Sequence, residues 1–193
     1  MVYGAALLLI TPFISLYTKG VSDADYILPV LGAMCVMNGF LYNLKTPQGM
    51  LVISAGMYRQ TRWQSTSQGL IALFGGLIGV QFFGLYGIIG GLMLSNIYRD
   101  MDLLFFVPKR ITKLSHLRTV KHIAAALTAM TPVLFIFAKY RIEVSGFADW
   151  IFKGFVVTAV LSLWALLVNL AFDCKNMINV YKRVKSIILR KIK

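Results

Sequence analysis

Apolar residues gather in six long runs divided by short polar breaks, with no period-two alternation that would suggest strands. A bilayer core of ~30 Å takes about 20 helical residues at 1.5 Å each, so runs of this length predict membrane-crossing helices. The first covers about 2–17 and is short. The second opens near Ile27 and reaches about Tyr42, with a continuation through Ala55 if the helix is bent at Pro47 and resumes. The third spans about Ser67 to Phe82, and the turn FFGLYG leads into the fourth, about Tyr86 to Val107. The fifth runs from about Val120 to Ala138 and the sixth from about Trp150 to Phe172. The expected fold is all-α and polytopic: one six-span lobe over 1–172, then a basic amphipathic tail over 173–193.

Composition agrees with this pattern. Hydrophobic residues make up 58% of the 193 and charged residues 14%, against roughly 45–50% and about 25% in soluble domains. The formal charge of +13 would by itself suggest nucleic acid. A mean hydropathy of +0.73 argues instead for a bilayer whose cytoplasmic loops carry the excess. Fourteen of the 20 Lys and Arg fall in the second connection, the fourth connection and the tail, against four on the opposite side. Those segments, and with an even span number both termini, are therefore expected in the cytoplasm. Most acidic residues, Asp23, Asp25, Glu143 and Asp149, fall in the opposite connections. No basic residue precedes the first run to hold its start in the cytoplasm, which suggests further sequence upstream.

Charged residues inside such runs are costly, about 2.5–3.5 kcal/mol each near a helix centre, so they mark cavities, partners or snorkelling side chains. The fourth run carries Arg99, Asp100 and Asp102. Arg99 either pairs locally with Asp102 at i,i+3 spacing or serves as a cavity-facing cation for an anionic headgroup. Lys45, two residues before Pro47, is either an interfacial anchor at a helix end or the cation at a broken helix; the shortness of MLVISAG favours the break. Gly75 with Gly79, and Gly87 with Gly91, form small-xxx-small pairs on consecutive antiparallel spans and predict close helix packing. The stretches KRITKLSHLRTVK and the tail are amphipathic and basic, suited to an anionic inner leaflet.

Other chemistry finds little to build on. Cys35 lies in a span and Cys174 at a helix end, so a disulfide is not expected. His116 and His122 lack the neighbours of a metal site. The isolated DxD of Asp100 and Asp102 has no glycine-rich phosphate loop or Ser/His/Asp set beside it, so neither an enzyme nor a cofactor is expected.

The order of PFISLYTKGVSDADY, NLKTPQGMLVISAGMYRQTRWQS and GLYGIIGGLMLSNIYRDMDLLFFVPKRI resembles the C-terminal part of Wzx-type polysaccharide biosynthesis proteins. These are lipid-linked oligosaccharide flippases of the multidrug/oligosaccharidyl-lipid/polysaccharide exporter superfamily. The likeness covers about residues 10–120; the rest agrees in hydropathy alone. It implies the second half of a two-lobed carrier of 12 or 14 helices that works by alternating access in a bacterial or archaeal inner membrane. Its substrate would be a polyprenyl-diphosphate-linked oligosaccharide, and its partner a missing N-terminal lobe. It nominates Arg99, Lys45, Arg59 and Arg62 for substrate or gating contacts. Asp100 stands where the family commonly has an uncharged residue. Two rival expectations are a cation/drug antiporter of the same superfamily, which would need acidic cavity residues, and a non-transporting remnant or interaction subunit of a split transporter.

Overall fold

The computed structural model describes residues 1–21, 26–113, 116–139 and 142–191. Of these, 116–123, 125, 126, 138 and 172–191 are described by backbone alone. Asp23, Asp25, the side chains of His116 and His122, and the apolar faces expected over 114–120 and 177–188 therefore lie outside the described residues. Among the described residues six α-helices form in chain order: α1 Val2–Tyr17, α2 Pro29–Ser54, α3 Tyr58–Phe83, α4 Leu85–Val107, α5 His116–Lys139 and α6 Phe147–Lys191. A π-helical turn, Pro108–Thr112, follows α4. No strand occurs among the described residues.

Two helical segments among the described residues, Tyr58–Phe83 and Phe147–Ala171, are long and apolar enough to cross a membrane; Val2–Tyr17 and Leu127–Phe137 are shorter apolar stretches. At 16 residues, α1 is roughly 24 Å long. Helix α2 could span by length, but its polar positions dilute its apolar character.

Three boundaries differ from the apolar pattern. First, α2 continues through Pro47 to Ser54, so the expected interruption is absent. Proline removes one backbone donor, at a cost of about 3 kcal/mol in a helix interior. Contacts on both sides hold the helix together: Val36 packs with α1, and Val52 packs with Leu103 and Val107 of α4.

Second, α3 starts at Tyr58, nine residues ahead of the apolar run, because α2 stops cleanly. Gly56 adopts φ +67°, its N–H bonds Ile53 O at 3.0 Å and the Met57 N–H bonds Val52 O at 3.1 Å. This double bond is a Schellman cap, completed by the packing of Met57 on the Val52 cluster. Third, α6 runs through the expected 172/173 boundary as one 45-residue helix.

Helices α3 and α4 form a tight antiparallel hairpin reversed by Gly84 alone, at φ 57° and ψ −134°, a conformation open essentially to glycine. Along its seam Gly75 and Gly79 meet Gly91 and Gly87, backbone against backbone. Helix α2 packs on α4, α1 packs on α2, and α5 and α6 close around α1. The main core is correspondingly centred on α1. Leu7, 0% exposed, and Leu8 pack with Val36, Val133 and Leu161. Trp150 Nε1 donates to Leu9 O at 3.2 Å and ties the start of α6 to α1.

Outward faces are strongly apolar: Phe74 and Leu77 on α3 and Phe152 and Phe155 on α6 are exposed, the last at 77%. The polar and charged side chains that are buried are Thr61, Ser95, Asn96 and Arg99, among the described residues.

Candidate functional site

The buried polar residues of α4 stand on one helical face. Ser95, Asn96 and Arg99 are buried there, with the apolar Leu103 following at i+7 from Asn96. Asn96, 6% exposed, is the hub. Its Oδ1 accepts from Lys45 Nζ of α2 at 2.5 Å and from Gln68 Nε2 of α3 at 3.3 Å, and its Nδ2 donates to Asn38 Oδ1 at 2.8 Å. Asn38 and Lys45 are seven residues apart, two turns along the same face of α2, which lets one asparagine engage both. The ammonium also sits 4.9 Å from the Tyr42 ring centroid.

One turn further along α4, Arg99 is 7% exposed. Its Nη1 donates to Asp102 Oδ2 at 2.7 Å, the i,i+3 ion pair. That contact uses one of five guanidinium N–H groups and leaves the fork available for a second acceptor. One carboxylate oxygen of Asp100, Oδ2, is buried without a hydrogen-bond partner. Arg99 and Asp102 thus form an ion pair beside Lys45 and Asp100, where the sequence pattern left open either this local pair or a cavity-facing cation.

The nominated residues divide accordingly. Lys45, Arg99, Asp100 and Asp102 are brought together. Pro47 lies inside α2 close to Lys45, and Gly75, Gly79, Gly87 and Gly91 form the hairpin seam. Arg59 and Arg62 stand outside the cluster, exposed on the first turns of α3, with Arg62 against the ring of Trp63 at 5.8 Å. Asn38, Gln68 and Asn96 are members that charge-based reasoning passed over. The signal was present, since each is an uncharged polar residue within or beside an apolar run.

One cavity lies away from this network, and one cleft borders it at Asp102. An apolar one of 320 Å³ sits among α1, α2, α5 and α6, walled by Tyr3, Phe40, Val133, Leu161 and Trp164, with no charged side chain in its lining. An open cleft of 610 Å³ lies between the first turns of α3 and the end of α4, where Lys109 and Arg110 line it. No grouping of three or more His, Cys, Asp or Glu able to hold a metal occurs among the described residues. The chain matches no protein-family model, no curated protein and no solved structure.

Proposed function

We propose that this chain is one lobe of an inner-membrane carrier that flips a polyprenyl-diphosphate-linked oligosaccharide by alternating access, paired with a second lobe. The observation that carries this reading is the inverted distribution of polarity. Large apolar side chains cover the outside, while Lys45, Arg99, Asp100, Asp102 and three amides meet inside. In water such a surface would aggregate, and in lipid it is the appropriate solvent face. Ionisable groups on the inner side of such helices mark a substrate path.

The chemistry suits an anionic diphosphate. Arg99 is held by a single bond to Asp102, and a diphosphate oxygen can compete for the remaining fork positions or displace that carboxylate. Lys45 shares its acceptor Asn96 with Gln68, so its ammonium can shift toward a stronger acceptor without leaving Asn96 unbonded. The glycan would occupy the polar interior between lobes while the lipid tail stays in hydrocarbon.

The test is export of surface polysaccharide in cells carrying the gene with Lys45→Met or Arg99→Gln. The expected result is reduced export with the protein still present in the membrane; undiminished export by both variants refutes the assignment. The buried, unpartnered oxygen of Asp100 favours a second reading, a cation/drug antiporter, for which Asp100→Asn would be the more damaging change.

A further inference from the structure

We propose that the cleft between the start of α3 and the α4–π-turn junction is a binding site for the phosphate headgroup of an anionic membrane lipid. The proposal rests on the membrane-spanning reading above but not on transport.

The cleft encloses 610 Å³ at the basic end of the three-helix unit. Gln60 and Gln64 face it from α3, Lys109 and Arg110 from the π-turn, and Phe105 and Phe106 form its apolar wall. Its basic residues outnumber its acidic ones. The acidic lining residue, Asp102, is already bonded to Arg99 at 2.7 Å, and neither Lys109 nor Arg110 makes an ion pair among the described residues. Arg59 and Arg62 flank it on the exposed first turns of α3. That helix start carries no side-chain cap and no acidic residue in its first turn, so its partial positive charge adds to the same field.

Local backbone structure places the two cations there. Pro108 ends the α-helical hydrogen-bonding of α4, the chain widens into a π-turn over Pro108–Thr112, and Lys113 in the left-handed region, φ 51°, turns the chain away. Such single π-turns are frequent at functional sites.

A feature outside the cleft selects lipid over free phosphate. Leu94, Ile97, Met101 and Phe105 recur at helical spacing along the outer face of α4, all exposed, and end at the cleft through Phe105. The stripe is roughly 16 Å long at 1.5 Å per residue. An acyl chain lying on it would bring its phosphate to the amides and cations of the cleft. Basic pockets between helices at a membrane surface recognise anionic headgroups in this way.

The experiment uses the full chain in detergent, with native mass spectrometry reading retained phosphatidylglycerol against phosphatidylcholine. Two cations near an anionic headgroup are worth about 30-fold together. Wild-type protein is expected to prefer phosphatidylglycerol on about that scale, and Lys109→Gln/Arg110→Gln to lose the preference. Lys185→Gln/Lys191→Gln, which removes equal charge from the tail, is expected to keep it. Loss in both double variants would mean diffuse attraction by net charge and would overturn the site, as would a preference that survives Lys109→Gln/Arg110→Gln. Equal displacement of both lipids by inorganic phosphate would make it a free-anion site and overturn the lipid assignment. Extraction of the chain from membranes by alkaline carbonate overturns the membrane reading and this proposal together. Resistance to extraction with no effect of Lys109→Gln/Arg110→Gln sinks this proposal alone.

Discussion

Replacing Gly79 with alanine puts a methyl group where α3 and α4 touch. The added Cβ would stand 2.6 Å from the carbonyl oxygen of Gly87 and 2.9 Å from its Cα. The obstructing atoms are backbone, which no rotamer change can move. To reach ordinary contact at 3.4 Å the helices must separate by about 0.8 Å at that level. Since Gly84 reverses the chain only five residues away, the separation cannot be absorbed by a long loop. Overpacking of this kind typically costs about 1–3 kcal/mol, and for a chain of this length ~2 kcal/mol lowers the melting midpoint by about 4–8 °C.

Alanine at Gly90, on the partner helix α4, would meet nothing within 4 Å. There the gain in helix preference, about 0.5–1 kcal/mol, should leave stability unchanged or slightly raised. Gly75→Ala, with Gly91 Cα at 3.2 Å, is expected to fall between the two. The assay is intrinsic-fluorescence melting of the detergent-solubilised protein. Equal midpoints for Gly79→Ala and Gly90→Ala would refute the claim that backbone contact, rather than helix propensity, explains the glycines of this seam.

Two further predictions concern single interactions. Asp102→Asn removes the charged partner of a nearly buried arginine. Destabilisation near the low end of about 3–5 kcal/mol is expected because the Asp102 side chain keeps 19% exposure. Adding Arg99→Gln should recover most of that loss in a double-mutant cycle of melting midpoints, and no recovery would mean that the pair is not the cause. Gly56→Ala forces alanine to φ +67° at the end of α2. A loss of about 1–2 kcal/mol is expected in the same melting assay, with Gly49→Ala, whose Cβ meets nothing within 4 Å, as the unaffected comparison.

The chain's own pattern determined the number of helices, their approximate centres and the clustering of basic residues at one end, because apolar runs and flanking charges are local properties of sequence. It also marked Gly75, Gly79, Gly87 and Gly91 as a packing pair, since small residues four apart necessarily share a helix face. Helix ends were less legible. The polar segment from Tyr58 to Thr66 has no apolar period, yet it continues α3 beyond the Schellman cap at Gly56. Pro47, a reasonable place to break a helix, is spanned because Val36 and Val52 anchor α2 on either side.

Tertiary structure alone decided the site. Asn38, Lys45, Gln68 and Asn96 are scattered over three helices, and no local signal says that Asn96 will accept from both Lys45 and Gln68. Nor does spacing reveal that Lys109 and Arg110 face a cleft whose acidic residue, Asp102, is already engaged by Arg99. Charge counting assigns a residue to an end of the molecule. Which charges meet depends on distances of a few ångströms, within α4 for Arg99 and Asp102 and between α2 and α4 for Lys45 and its acceptor Asn96.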